Sequence, residues 1–187
     1  MNPKKAAIRK PIRLLEKVNR HPLSCLQEVY KTFHLSDIKS ELEEWFHVGL
    51  SNDNSAYEEG QQRSNLIRFN GELQILSEAL HLVNKAHQPK GVKDWMEGLP
   101  PEIKNEIQQY NQPTKLSHEE MINPMQVVKQ FCKAFTREYA IREMWDWLDA
   151  VITYEGEYPK AVYKGNILIF YECLLCLIES AFVLNNK

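Results

Sequence analysis

The chain has 187 residues, 43% of them hydrophobic and 26% charged, with a formal net charge of −2. This length fits one domain or a domain with an appended arm, and the apolar content is enough to build a real core. The near-neutral total gives no global attraction to a polyanion, but the charge is unevenly distributed. Residues 1–20 carry Lys4, Lys5, Arg9, Lys10, Arg13, Lys17 and Arg20 against Glu16, a net of +6, and the other 167 residues sum to −8. The expected organisation is a basic, partly helical N-terminal arm over 1–20 and a single helical-bundle domain over 21–187.

Hydrophobic spacing is helical almost everywhere, and no segment alternates apolar and polar residues as a half-buried strand would. After the arm, Pro22 marks a helix boundary, Ser24 to Gln27 has capping-box spacing, and Leu26, Val29, Tyr30 and Phe33 form an apolar face. A second helix starts after Ser36 or Asp37, presents Ile38, Leu42, Trp45 and Phe46, and is expected to stop near Gly49. The third, roughly Tyr57 to Ala86, repeats Leu66, Phe69, Leu73, Leu76, Leu80 and Val83 at spacings of three and four, the seam of a packed bundle helix. Pro89, Pro100, Pro101, Pro113 and Pro124 punctuate a crossover with two short amphipathic pieces, VKDWMEG and PPEIKNEIQQY.

Asn123 and Pro124 then open one long helix reaching about Tyr154, closed by Gly156 and Pro159. The last helix, around Val162 to Leu184, contains ILIFYECLLCLIESAFVL, apolar on nearly every side and so expected at the bundle centre. Its two glutamates and a mean hydropathy of −0.47 for the whole chain argue against a membrane span. No internal repeat of solenoid type is visible. The predicted fold is all-α, a helical bundle of about five main helices with a Pro-punctuated crossover containing short helices.

The arm lacks the apolar segment and cleavage site of a secretory signal. Cys25, Cys132, Cys173 and Cys176 lie in apolar helical patterns, as buried thiols do in a reducing compartment. The expected location is the cytoplasm.

Two Glu-x-x-His pairs, Glu44 with His47 and Glu78 with His81, supply half the ligand set of a di-iron or di-manganese four-helix bundle. At about 100° per residue, His47 falls roughly 180° from Ile38, directly away from the core. Glu78 and His81 fall at roughly 120° and 60° from Leu66, beside Asn70, Gln74 and Ser77 on the polar face. Both pairs are therefore expected to face water, with no cofactor, and Fe, Mn or Zn stands as the alternative. Zinc has only Cys173 and Cys176, without a second close Cys/His pair.

Glu172 and Glu179 are seven residues apart, within about 20° of one another, with Tyr171 alongside. They form either a polar ligand groove or, preferentially, a stripe that reaches the surface beside Lys160 or Lys164. Trp145 and Trp147 are separated by about 200° and cannot share one seam, so one of them is expected near the surface or under the crossover, either as part of a partner surface or, more commonly, packed beneath a second bundle layer. No glycine-rich phosphate loop, nucleophile elbow or H-E-x-x-H motif occurs. The leading expectation is a non-catalytic interaction or regulatory module acting on an unknown protein partner or on itself as a homodimer. The first alternative is a metal- or small-ligand-binding bundle. The second is nucleic-acid binding through the basic arm, disfavoured because the arm lacks interleaved aromatics.

Overall fold

The computed structural model describes residues 12–51, 57, 59–86, 98–152 and 164–186. Among them every regular element is a helix: α1 (Ile12–Arg20), α2 (Pro22–Thr32), α3 (Leu35–Ser51), α4 (Gly60–Lys85), α5 (Pro101–Tyr110), α6 (His118–Ile122), α7 (Pro124–Ala134), α8 (Arg137–Ile152) and α9 (Lys164–Asn185). The all-α bundle expected from the periodicity is the fold the chain adopts. Residues 1–11 of the arm, residues 92–97 of the VKDWMEG piece, Gly156, Pro159 and Lys160 lie outside the described residues.

Local chemistry accounts for the helix ends. Pro22 occupies the first turn of α2, where its missing amide proton costs nothing, so the helix starts ahead of the Ser24 capping box. It stops where Phe33 turns extended, at φ −131° and ψ 134°. The start of α3 is then capped twice. Asp37 accepts the His34 N–H at 3.3 Å, and the Asn111 side chain, arriving from the crossover, accepts the Leu35 N–H at 2.6 Å. α3 continues through Gly49 to Ser51, past the expected stop. α4 opens on a capping box between Glu59 and Gln62.

Two expectations are corrected. The long helix from Asn123 is two helices, broken at Phe135 and Thr136. Phe135 is extended (φ −125°, ψ 119°), and the Thr136 hydroxyl accepts the Tyr139 N–H at 3.2 Å, capping α8. The apolar spacing runs unbroken through this point because Phe131, Phe135 and Tyr139 all pack around Phe170, so the rings remain in register across the break. The second correction concerns α4. Its seam residues are buried as expected, but so are Asn70, Gln74, Ser77, Glu78 and His81 on the face predicted to be solvated. α4 packs on α2 as well as on α7 and α8, so polarity on this helix does not mean exposure.

The core centres on α4 and α9, with Ile167, Phe170, Leu174, Leu177 and Ile178 of α9 fully enclosed. By length and composition Ile167–Asn185 is apolar enough to cross a membrane, and 61% of that window is buried within the bundle. The packing has an internal symmetry. α2 lies on α4 as α7 lies on α9, α1 lies on α2 and α4 as α6 lies on α7 and α9, and α3 lies on α9 as α8 lies on α4. α2 also meets α9 as α7 meets α4, while α3 meets α8 and α4 meets α9.

Candidate functional site

The two Glu-x-x-His pairs are not brought together. Glu44 and His47 are exposed on α3, which lies chiefly on α8 and α9. Glu78 and His81 point inward, contrary to the helical-wheel expectation. Glu78 Oε1 is 3.3 Å from the Arg137 guanidinium at the start of α8. His81 Nδ1 lies 2.8 Å from the Ser77 carbonyl oxygen and Nε2 lies 3.2 Å from that of Phe135. Both ring nitrogens therefore face backbone acceptors rather than space where a metal could sit. Among the described residues no three His, Cys, Asp or Glu side chains converge as a ligand set.

Glu179 corrects both readings offered for its stripe. It is fully buried, and its partners are the N–H groups of Thr114 (2.9 Å), Lys115 (2.7 Å) and Leu116 (3.1 Å), the Thr114 hydroxyl (3.3 Å) and the Lys39 ammonium (2.6 Å). The space beside this carboxylate is filled by the crossover backbone, so it is neither a surface stripe nor an open groove. Its charge is met by a lysine of α3 and by amide dipoles, which is what a buried carboxylate requires. Glu172 is exposed, 3.2 Å from Lys115 Nζ. Tyr171 is buried, its ring stacked on Phe46 at 4.4 Å, and burial pushes its phenol above the ordinary range. Trp147 belongs to the core, edge-on to Phe170 at 5.9 Å, which removes it from the nominated partner surface; Trp145 is half-buried.

The thiols offer little nucleophilic chemistry. Burial pushes Cys132 and Cys176 up to about 11, and it raises Cys25 and Cys173 as well. At neutral pH each is a thiol rather than the reactive thiolate.

A cleft of about 350 Å³ lies between the end of α2, the first turns of α3 and the start of α4. Its floor is aromatic: Phe69 meets Phe33 at 5.7 Å and Trp45 at 5.5 Å, both edge to face. Along one wall Glu41 Oε1 accepts the Tyr57 hydroxyl at 2.6 Å and the Trp45 indole N–H at 3.1 Å. Burial first, and then the bond to Glu41, push the Tyr57 phenol well above its ordinary range, so it stays a neutral donor. Asp37 adds a second carboxylate at the exposed rim, and the Arg68 guanidinium sits 5.7 Å from the Phe33 ring centroid. Negative charge beside ring faces attracts cations. The arrangement contains no activated nucleophile.

Sequence reading missed this cleft because its parts come from three separate segments. Phe33 belongs to an apolar face and Asp37 to a helix start, and nothing in their spacing joins them to Tyr57. No protein family, curated protein or solved structure matches the chain.

Proposed function

We propose that the protein is a non-catalytic binding module of the cytoplasm whose working surface is the cleft between α2, α3 and α4, taking a cationic side chain or small organic cation from its partner. The observation that carries this reading is the juxtaposition of Phe33 and Phe69 with the carboxylates of Asp37 and Glu41 in one cleft of about 350 Å³, a size within the range of small-ligand sites. Arg68 over Phe33 is an internal example of the recognition proposed. The cytoplasmic setting is supported by four cysteines held as free thiols.

Tetramethylammonium and its neutral analogue tert-butanol separate charge recognition from shape. In an NMR titration the cation is expected to give saturable shifts at Phe33, Tyr57 and Phe69, and the alcohol none. Asp37→Asn is expected to weaken the cation's binding several-fold, on the order of 1 kcal/mol for loss of one partly screened charge. Equal response to cation and alcohol, or no saturation with either, would overturn the reading.

A further inference from the structure

We infer that the chain is two copies of one four-helix unit, residues 12–86 and 118–186, folded against each other as the subunits of a two-fold dimer are, so that the surface each half presents to the other fits a second copy of this chain. The sequence carries a trace of this. Pro22 and Pro124, Phe33 and Phe135, Glu41 and Glu143, and Trp45 and Trp147 are each separated by 102 residues. Phe69 and Phe170, Leu73 and Leu174, Leu76 and Leu177, and Glu78 and Glu179 are each separated by 101. The single-residue change of spacing falls in the connections between α3 and α4 and between α8 and α9, where length is tolerated.

At these matched positions the structure repeats itself. α2 and α7 each have 11 residues, begin on a proline and end on an extended phenylalanine. The Phe33 N–H reaches the Val29 carbonyl at 2.9 Å, and the Phe135 N–H reaches that of Phe131 at 2.8 Å. The edge-to-face rings of Phe33, Phe69 and Trp45 recur as Phe135, Phe170 and Trp147, at 5.2 and 5.9 Å. Exchanging α1–α4 with α6–α9 maps the major helix pairings among the described residues onto themselves. A two-fold interface has this property, since whatever patch i offers patch j, j offers i.

The buried charges cross the interface in the same sense. Glu78 on α4 of the first half pairs with Arg137 on α8 of the second, and Glu179 on α9 of the second pairs with Lys39 on α3 of the first. Each half thus supplies one buried carboxylate and one cation to the other. An interface of this kind closes equally well on a half belonging to another molecule, which is domain exchange.

Charge reversal in the intact chain provides the test. One chain carries Glu78→Lys and a second, isotopically labelled, carries Arg137→Glu. Closed on itself, each places like charges at the crossing; exchanged with the other, both crossings are matched. The two chains are unfolded together, refolded and weighed by native mass spectrometry. The expected product is a dimer of one chain of each kind, melting above either chain refolded alone. A mixture that returns only separate monomers, or dimers of random composition with no gain in melting temperature, overturns the inference. Should neither substitution yield folded protein, labelled and unlabelled unsubstituted chains refolded together at rising concentration decide it. Mixed dimers that grow with concentration support exchange, and monomers at every concentration refute it.

Discussion

In the first half of the molecule Glu41 binds both the Trp45 indole and the Tyr57 hydroxyl, whereas in the second half the matched Glu143 and Trp147 leave Oε1 and Nε1 without a hydrogen bond. The clefts differ in the same way. Asp37 stands at the rim of the larger one, and Tyr139 occupies its place in a smaller cleft of about 230 Å³ lined by Phe135 and Ile169. Inside the bundle, Asn70, Gln74, Ser77 and His81 on α4 correspond to Tyr171, Leu175, Ile178 and Phe182 on α9, all buried. What both halves share is the phenylalanine and tryptophan rings and the buried glutamate of the last helix of each, Glu78 on α4 and Glu179 on α9. These fix helix breaks and crossing points. The polar chemistry around them differs, and the acidic cleft lies in the first half.

The two buried glutamates differ in how their charge is met. Glu179 serves three backbone amides and an ammonium that is itself 20% exposed, while Glu78 meets an arginine that is 35% exposed. Glu179→Gln is expected to cost about 3–5 kcal/mol in urea unfolding, the range for stranding one member of a buried ion pair. Glu78→Gln is expected to cost about 1–3 kcal/mol, because its partner is partly hydrated. Equal losses would mean that the matched positions are energetically equivalent after all.

The caps come next. Asn111→Ala is expected to cost about 1–3 kcal/mol by leaving the Leu35 N–H at the start of α3 without its partner. Thr136→Ala, at the matching break in the second half, is expected to cost about 1 kcal/mol, since the hydroxyl caps an exposed turn. Reversal of that order would show that the Asn111 cap adds less to α3 than the Thr136 cap adds to α8.

Much of this fold is legible in the residues. The seam of α4, the core side of α3 through Leu42 and Trp45, and the central place of α9 follow from spacing alone, because apolar area sets which face turns inward. The inward turn of His81 does not follow. A helix with neighbours on two sides buries polar groups whenever the backbone of a neighbour, here the Phe135 carbonyl, supplies a partner. That carbonyl is available only because α7 ends at Ala134, and the break was hidden by aromatic spacing continuous across it. The signal was nevertheless present. Pro22 to Phe33 ends in a recognisable helix boundary, and Pro124 to Phe135 repeats it at the same length. The candidate cleft left no such trace, since its residues meet only through tertiary packing.

Glu41 and Glu143 differ in a way that leaves a small signature in the pH dependence of stability. Burial, then repulsion from Asp146, raises the Glu143 carboxyl above its ordinary value, against weaker opposing contributions from Tyr139 and Arg142. The folded chain therefore holds this proton to higher pH than the unfolded chain, whose carboxyl titrates near about 4.3. The contribution to stability is fully present below that pH and is lost as pH rises through the raised value. Glu143→Gln fixes the neutral form, so it is expected to match the parent in acid and to exceed it at neutral pH. Glu41→Gln should act in the opposite direction, losing about 1 kcal/mol at neutral pH as two charge-assisted bonds become neutral ones. Stability measured from pH 4 to 8 by chemical unfolding separates the two. Curves for Glu143→Gln that run parallel to the parent across this range would show that the second-half carboxylate is as well satisfied as the first.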